Sequence, residues 1–320
     1  MTTVELRDVV KTFSSPKGRI TAVDNLSFQA KEGEVLGILG PNGAGKTTTL
    51  RMIATIYKPD KGTIRVEGID VLDNPLDVRK RIAYMPQEPD LIPSLSVEEH
   101  ITYYLRFRGF SKKEAKKRCE EALKSFNLND HRRKKPFQLS TGLKRRVQLA
   151  SVLSAKAPVI FLDEPTTGLD PKSKRNTWKL IKDKIEDSGA TILLTSHDLY
   201  EVEYLADRVI IINNGRLIAE GTPRDLRKRF GKTVKVIFED PILISNTLMD
   251  EFMKVDGIKG IFQVSENAVE IKLDSLDRSI NNLVRILASK ELKIKDIVTT
   301  AANFEDVYLE IIENSGGDMG

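Results

Sequence analysis

The chain has 320 residues, 40% of them hydrophobic and 30% charged, with a formal net charge of +5. That length exceeds one ordinary core and suggests two domains, while apolar content and interspersed charge exclude a disordered chain and point to a soluble globular protein. Its single cysteine, Cys119, excludes an intrachain disulfide framework, and no apolar run reaches membrane-spanning length.

The N-terminal Met1-Thr2-Thr3-Val4-Glu5 lacks a basic-then-apolar signal pattern, so a cytoplasmic location is expected. Residues 3–30 alternate apolar and polar, with Val4 and Leu6, later Leu26 and Phe28, on one face and the turn Ser14-Ser15-Pro16-Lys17-Gly18 between them. This predicts an antiparallel sheet. Residues 35–39 read as a buried strand entering Gly40-Pro41-Asn42-Gly43-Ala44-Gly45-Lys46-Thr47, which fits G-x-x-x-x-G-K-[ST] at every defined position. Glycines let such a loop turn its N–H groups inward as an anion nest. Lys46 can reach β- and γ-phosphates, Thr47 offers a hydroxyl to Mg²⁺, and a helix over 48–56 adds the positive end of its dipole. The stretch predicts a nucleoside-triphosphate site. A glycine-rich turn of some other α/β protein is the alternative, and the strand, loop and helix context weighs against it.

Pro59-Asp60-Lys61-Gly62 and Glu67-Gly68 are turns flanking a short strand over 63–66, and a strand over 82–85 ends at Pro86-Gln87. Ser96-x-x-Glu99 and Ser111-x-x-Glu114 fit the capping box and open helices over 97–108 and 112–126. The spacing Ala115, Cys119, Ala122, Leu123, Phe126 puts the thiol on a buried face, a packing role. The basic clusters 112–118 and His131-Arg132-Arg133-Lys134-Lys135 suit an anionic lipid or nucleic-acid surface or merely solvated faces, the second reading being preferred. Leu139-Ser140-Thr141-Gly142 opens a third helix, with Leu143, Val147 and Ala150 at helical spacing.

Residues 159–162 form an apolar strand ending in Asp163-Glu164, a metal-coordinating carboxylate beside a candidate base at the carboxyl end of a parallel strand. Asp170-Pro171 starts a helix through Trp178, Ile181 and Ile185 to Gly189. A strand over 190–195 delivers Ser196-His197 to the same edge, and Asn214-Gly215 joins a hairpin over 208–213 and 216–220. Near residue 230 the motifs end. Residues 232–299 then read β-α-β-β-α-β, with strands over 233–238, 258–264, 268–273 and 292–298 and helices over 246–255 and 276–288. The fold class is therefore α/β over 1–230, a small α+β ferredoxin-like domain over 231–312, and a flexible tail over 313–320. The second domain lacks nucleotide or metal motifs and is expected to be an interaction module. Its alternating Val234, Val236 and Phe238 with Val269, Ile271 and Leu273 either offer a second face for self-association or cover the domain's own helices.

The phosphate loop, Gln87, Leu139-Ser140-Thr141-Gly142, Asp163-Glu164, Gly168-Leu169-Asp170 and His197, in that order, make residues 1–230 resemble the ATPase subunit of ABC transporters. That family is a P-loop NTPase core with an antiparallel β subdomain and a helical subdomain. The remainder is similar to the accessory domain of drug-resistance-type ABC exporter ATPases, whose closing helix resembles Phe304-Glu305-Asp306-Val307-Tyr308-Leu309-Glu310. The resemblance implies ATP and Mg²⁺ as ligands. Phe13 would stack on adenine; Gly40, Pro41, Asn42, Gly43, Ala44, Gly45, Lys46, Thr47, Thr48 and Gln87 would hold ATP; Thr47, Gln87 and Asp163 would serve the metal. Glu164 would be the general base, His197 the switch at the γ-phosphate and Asp170 the D-loop residue. Leu139, Ser140, Thr141 and Gly142 would act in trans on the nucleotide of a second subunit. The plainer readings are a core aromatic for Phe13, a strand-end polar residue for Gln87 and a strand-end cap for His197.

The signature segment departs from Leu-Ser-Gly-Gly-Gln at Thr141 and Leu143. If position 141 needs φ > 0, threonine there costs about 1–2 kcal/mol and slows dimer closure. The implied partners are a second ATPase subunit in a head-to-tail homodimer and a separate transmembrane permease, which would place the chain on the inner face of the cell membrane. The permease would meet exposed apolar residues in the segment from Gln87 through Leu91, Ile92 and Pro93. A soluble ABC ATPase acting on nucleic acid or ribosomes is the rival, disfavoured by one phosphate loop and no sustained heptads. A non-hydrolysing regulatory module conflicts with Glu164 and His197.

Overall fold

A computed structural model describes residues 1–16, 18–229, 232–242, 249, 252–273, 276–289, 292–301 and 304–316. The chain divides into two compact units, Met1–Glu220 and Gly221–Gly320.

In the first unit, β1 (Thr2–Ser15) and β2 (Gly18–Lys31) form a long hairpin, extended by β4 (Lys61–Val66) and β5 (Ile69–Asp70) into an antiparallel sheet of order β2-β1-β4-β5. Pairing continues to Ser15 opposite Gly18, so the strands run through most of the residues that composition assigns to a turn. A second sheet contains β3 (Val35–Leu39), β6 (Ile82–Met85), β7 (Val159–Asp163), β8 (Thr191–Thr195), β9 (Arg208–Asn213) and β10 (Arg216–Gly221) in the order β10-β9-β3-β8-β7-β6. The pairs from β9 through β6 are parallel.

A parallel sheet must be covered on both faces, which is why its strands are apolar throughout. Ile160, Leu162, Ile192 and Leu194 join the core beneath α3 (Val97–Phe107), α4 (Lys112–Ser125), α5 (Thr141–Ser154) and α6 (Pro171–Ser188). Their neighbours Val159, Phe161 and Leu193 face the other way, toward α1 (Lys46–Ile53) and the antiparallel sheet. Each such side chain contributes about 1.5–3 kcal/mol on burial, so truncating one is felt across a whole layer.

Local signals explain most helix ends and two departures. At α3 the capping box is complete, Ser96 accepting from the Glu99 N–H and Glu99 accepting from the Ser96 N–H. At α4 only half of it forms, because the Glu114 carboxylate is taken by Arg118 one turn on. The helix α1 stops at Ile53, short of the expected residue 56, as Thr55 turns to φ 62. Two short helices, α2 (Pro75–Arg81) and α7 (Leu199–Leu205), also form behind Asn74 and Asp198.

In the second unit, β11 (Lys232–Phe238), β12 (Ile258–Ser265), β13 (Ala268–Leu273) and β14 (Ile294–Ala301) make an antiparallel sheet of order β12-β13-β11-β14. This is the order a split βαβ arrangement produces. Half of the helix expected over 246–255 lies outside the described residues, and residues 249, 252 and 253 are helical. Val234, Val236, Phe238, Val269, Ile271 and Leu273 are buried with Leu283 and Leu287 of α9 (Leu276–Ser289). They cover the unit's own helix and are not a second face. The last helix, α10 (Phe304–Gly316), packs with α8 (Pro223–Arg229) and buries Phe304, Val307 and Ile311, whereas Leu309 points outward. It runs through residues 313–316 of the expected tail, and residues 317–320 lie outside the described ones.

Candidate active site

The carboxyl ends of β3, β7 and β8 share one edge of the parallel sheet, the position where open α/β sheets bind ligands. From β3 the chain enters residues 40–47. Gly45 takes φ 101 as the N-cap of α1 and supplies no side-chain cap, which leaves the first-turn N–H groups to an anion. A Cβ on Gly40 would lie 2.2 Å from the Ile212 carbonyl, and one on Gly45 2.3 Å from that of Ala22. The loop's seat against β9 and β2 therefore demands glycine at both positions. Lys46 Nζ donates to the carbonyls of Gly40 at 2.7 Å and Pro41 at 3.1 Å. Burial lowers its pKa, while Glu164 and Asp163 act the other way.

Asp163, at the end of β7, is fully buried and accepts from three hydroxyls. Its Oδ1 accepts from Thr195 at 2.6 Å and Thr47 at 3.1 Å, and its Oδ2 from Tyr84 at 3.0 Å. The Tyr84 pKa is raised, first by burial and then by the Asp163 charge, so the phenol remains a donor. Glu164 takes φ 49, and its Oε2 gathers three groups from three segments. Gln87 Nε2 donates at 3.1 Å, Thr167 Oγ1 donates at 2.9 Å, and His197 Nδ1 stands at 3.2 Å. The His197 side chain is 52% exposed against 8% for Glu164, so the imidazole reaches the buried carboxylate from the solvent side.

Beside these groups lies a cavity of about 480 Å³, lined by Phe13, Ala22, residues 42–48, Gln87 and Glu164. Phe13 stands at its edge, braced edge-on by Tyr57 with ring centres 5.5 Å apart. Gly40 and Pro41 sit outside the lining, as the carbonyls holding Lys46.

Residues 23–167 match the model of the ABC transporter family. The chain is 40% identical over 231 residues to the daunorubicin/doxorubicin resistance ATP-binding protein DrrA of Streptomyces peucetius, covering 72% of this chain and 68% of that protein. It is 30% identical over 298 residues to the linearmycin resistance ATP-binding protein LnrL of Bacillus subtilis, covering 92% and 94%. The chain belongs to the ATP-binding subunits of ABC transporters. Its fold is similar to a solved dimeric ATP-binding cassette in a post-hydrolysis state with ADP and Pi, at a TM-score of 0.64 and 32% identity over 68% of this chain and 98% of that one. This subunit is thus an ATPase with the ABC cassette fold.

In the subunit the signature residues Leu139, Ser140, Thr141 and Gly142 do not line the cavity. Ser140, with φ −65 and ψ 161, caps α5 by accepting from the Leu143 N–H, and Thr141 is the first helical residue. Thr141 is not among the residues with positive φ, so the strain expected there does not arise. The loop Gly168-Leu169-Asp170 lies against this helix start, since a Cβ on Gly142 would be 3.3 Å from Leu169 Cδ2. Asp170 accepts from the N–H groups of Lys172 and Ser173 and so opens α6.

Sequence reasoning missed Tyr84, Thr195 and Thr167, the hydroxyls that orient the two carboxylates. Only their places at or just past strand ends beside Gln87, His197 and Glu164 could have marked them. In the segment expected to offer exposed apolar residues, Leu91 is buried in the helical core, while Ile92 and Pro93 are exposed.

Proposed function

We propose that this subunit hydrolyses ATP to drive an exporter, pairing head to tail with a second copy and docking on a separate transmembrane permease at the inner membrane face. Among the described residues no helix is long and apolar enough to cross a membrane, in keeping with a permease on another chain. The resistance proteins it resembles support export. The observation that carries the hydrolytic reading is the Glu164 carboxylate, held by Gln87, Thr167 and His197 beside a phosphate-loop cavity.

The residues fit Mg²⁺·ATP. Thr47, Asp163 and Gln87, whose Nε2 faces Glu164 and leaves Oε1 for a cation, are hard oxygen donors. Among the described residues there is no cluster of three or more His, Cys, Asp or Glu suited to a metal, so phosphates and water would complete the shell, the usual Mg²⁺ arrangement. Bound Mg²⁺ would neutralise charge on the β- and γ-phosphates. Phe13 stacks the base, the loop amides and Lys46 hold the phosphates, and Lys46 exchanges two neutral carbonyls for anionic phosphate oxygens. Glu164 orients a water and accepts its proton, with Gln87 and Thr167 fixing the carboxylate and His197 turning toward the γ-phosphate. Ser140 and the Gly142 amide of the second copy close over that phosphate from the start of α5.

Phosphate-release assays with calorimetric ATP titration test this reading. Glu164→Gln is expected to bind ATP while turnover falls roughly 10²–10⁴-fold, the contribution of a positioned base. Lys46→Ala is expected to lose binding at micromolar ATP. Wild-type turnover in Glu164→Gln would contradict the assignment.

A further inference from the structure

Arg145 lies on α5, five residues beyond Ser140, and is only 2% exposed. Its Nη2 donates to the Glu164 carbonyl at 2.8 Å, and its Nη1 to the Pro86 carbonyl at 3.1 Å and Gln148 Oε1 at 3.3 Å. Gln148 Nε2 in turn donates to the Glu88 carbonyl at 3.0 Å. One turn of one helix therefore grips both neighbours of Gln87 and the backbone of Glu164.

Packing alone does not account for this side chain. Burying a guanidinium costs desolvation, which the charges of Glu88, Asp163, Glu164 and Glu201 offset in part, and its hydrogen bonds all go to neutral oxygens. Its acceptors explain it. Glu164 is held in a left-handed conformation that disfavours a residue with a Cβ. Its N–H donates to the Thr195 carbonyl at 3.0 Å and to Thr195 Oγ1 at 3.1 Å, and Arg145 takes its carbonyl from the other side. The turn that aims the carboxylate is thus clamped at both ends of one residue.

We propose that Arg145 is a positioning residue for ATP hydrolysis, fixing the Glu164 carboxylate and the Gln87 side chain to the helix that Ser140 begins. This rests on the reading of Glu164 as the base. Since the same helix start serves the nucleotide of the opposite copy, Arg145 ties hydrolysis at one site to closure over the other.

The test compares Arg145→Lys and Arg145→Met with wild type, Gln87→Ala, Glu164→Gln and Leu149→Ala, a core change on the same helix. Rates are normalised to the folded fraction from thermal melts. Lysine keeps the charge and loses the planar fork that meets two carbonyls at once. Arg145→Lys is expected to keep its KM for ATP within about threefold while kcat falls about tenfold or more, with Arg145→Met lower still, and Leu149→Ala is expected to keep kcat. Adding Gln87→Ala to Arg145→Lys should lower kcat by less than it does alone, because both act through one carboxylate. Unchanged kcat in Arg145→Lys, full additivity, or an Arg145→Lys chain that does not fold would each overturn the proposal; Arg145→Met is read only where it folds. Loss of activity in Glu164→Gln beside an active Arg145→Lys would remove this inference alone, whereas an active Glu164→Gln would remove the base assignment beneath it.

Discussion

Glu201 is a carboxylate buried at 1% exposure away from the nucleotide cavity. Its Oε1 accepts from Thr166 at 2.8 Å and Trp178 Nε1 at 2.9 Å, and its Oε2 from Ser196 at 2.6 Å. It therefore joins the segment after Glu164, the residue before His197 and α6. Burial pushes its carboxyl up to about 7, against the pull of these three donors. Nearby Asp198 adds to the rise, though Lys174 pairs with that carboxylate at 2.6 Å. Between the ordinary 4.5 and about 7 the folded state binds more protons than the unfolded chain, so this contribution is complete below the window and is lost as pH rises through it. Glu201→Gln keeps an acceptor for Thr166 and Trp178 and cannot ionise. Its melting temperature is expected to exceed that of wild type at pH 8, the gap closing at pH 5. An equal gap at both values would show that Glu201 does not titrate in this range.

The same physics, with opposite sign, acts at the segment that leads into α3. The Ile92 N–H donates to His100 Nε2 at 2.6 Å, an acceptor only while the imidazole is neutral. Burial lowers the His100 pKa from 6.5, and Asp90 opposes it. The unfolded chain then binds the proton first as pH falls, so stability held above pH 6.5 is lost as pH drops through the folded value. Hydrogen exchange over residues 88–95, corrected for its intrinsic pH dependence, is expected to quicken from pH 7.5 to 5.5 in wild type. In His100→Gln it should not, because an amide oxygen accepts without titrating. The same acid response in both proteins would contradict the anchoring role. Elements such as α3 and α6 were legible because capping residues and apolar period coincide. The short α2 and α7 escaped since each has only seven residues, too few to establish a period beside an N-cap signal. The strands β1 and β2 ran beyond the alternating stretches because pairing, which sequence pattern does not display, extends them.

For the whole molecule, the parallel sheet was readable from fully apolar strands, and their carboxyl ends place Asp163, Glu164 and His197 on one edge whatever the helices do. The supporting groups were not readable. Thr195 and Tyr84 look like ordinary strand residues, and Arg145 looks like one more surface cation in Lys144-Arg145-Arg146 until the fold buries it. The basic run at 131–135 shows the reverse. Arg132 bonds to Glu98 and Glu120, and Lys135 to Glu99 and the Ser94 carbonyl, so these two cations brace the helical layer. That use weakens the case for a nucleic-acid footprint.

The central claim is that two copies close around ATP and that Glu164 then ends the closed state by hydrolysis. Size-exclusion chromatography with light scattering, on Glu164→Gln with and without Mg²⁺·ATP, tests it most directly. The account predicts a monomer without nucleotide and a stable dimer with it, the dimer being lost when Ser140→Ala is added, because the clamp across the second nucleotide then lacks its hydroxyl. A Glu164→Gln chain that stays monomeric in saturating Mg²⁺·ATP while wild type dimerises, or a dimer indifferent to both nucleotide and Ser140, would contradict it.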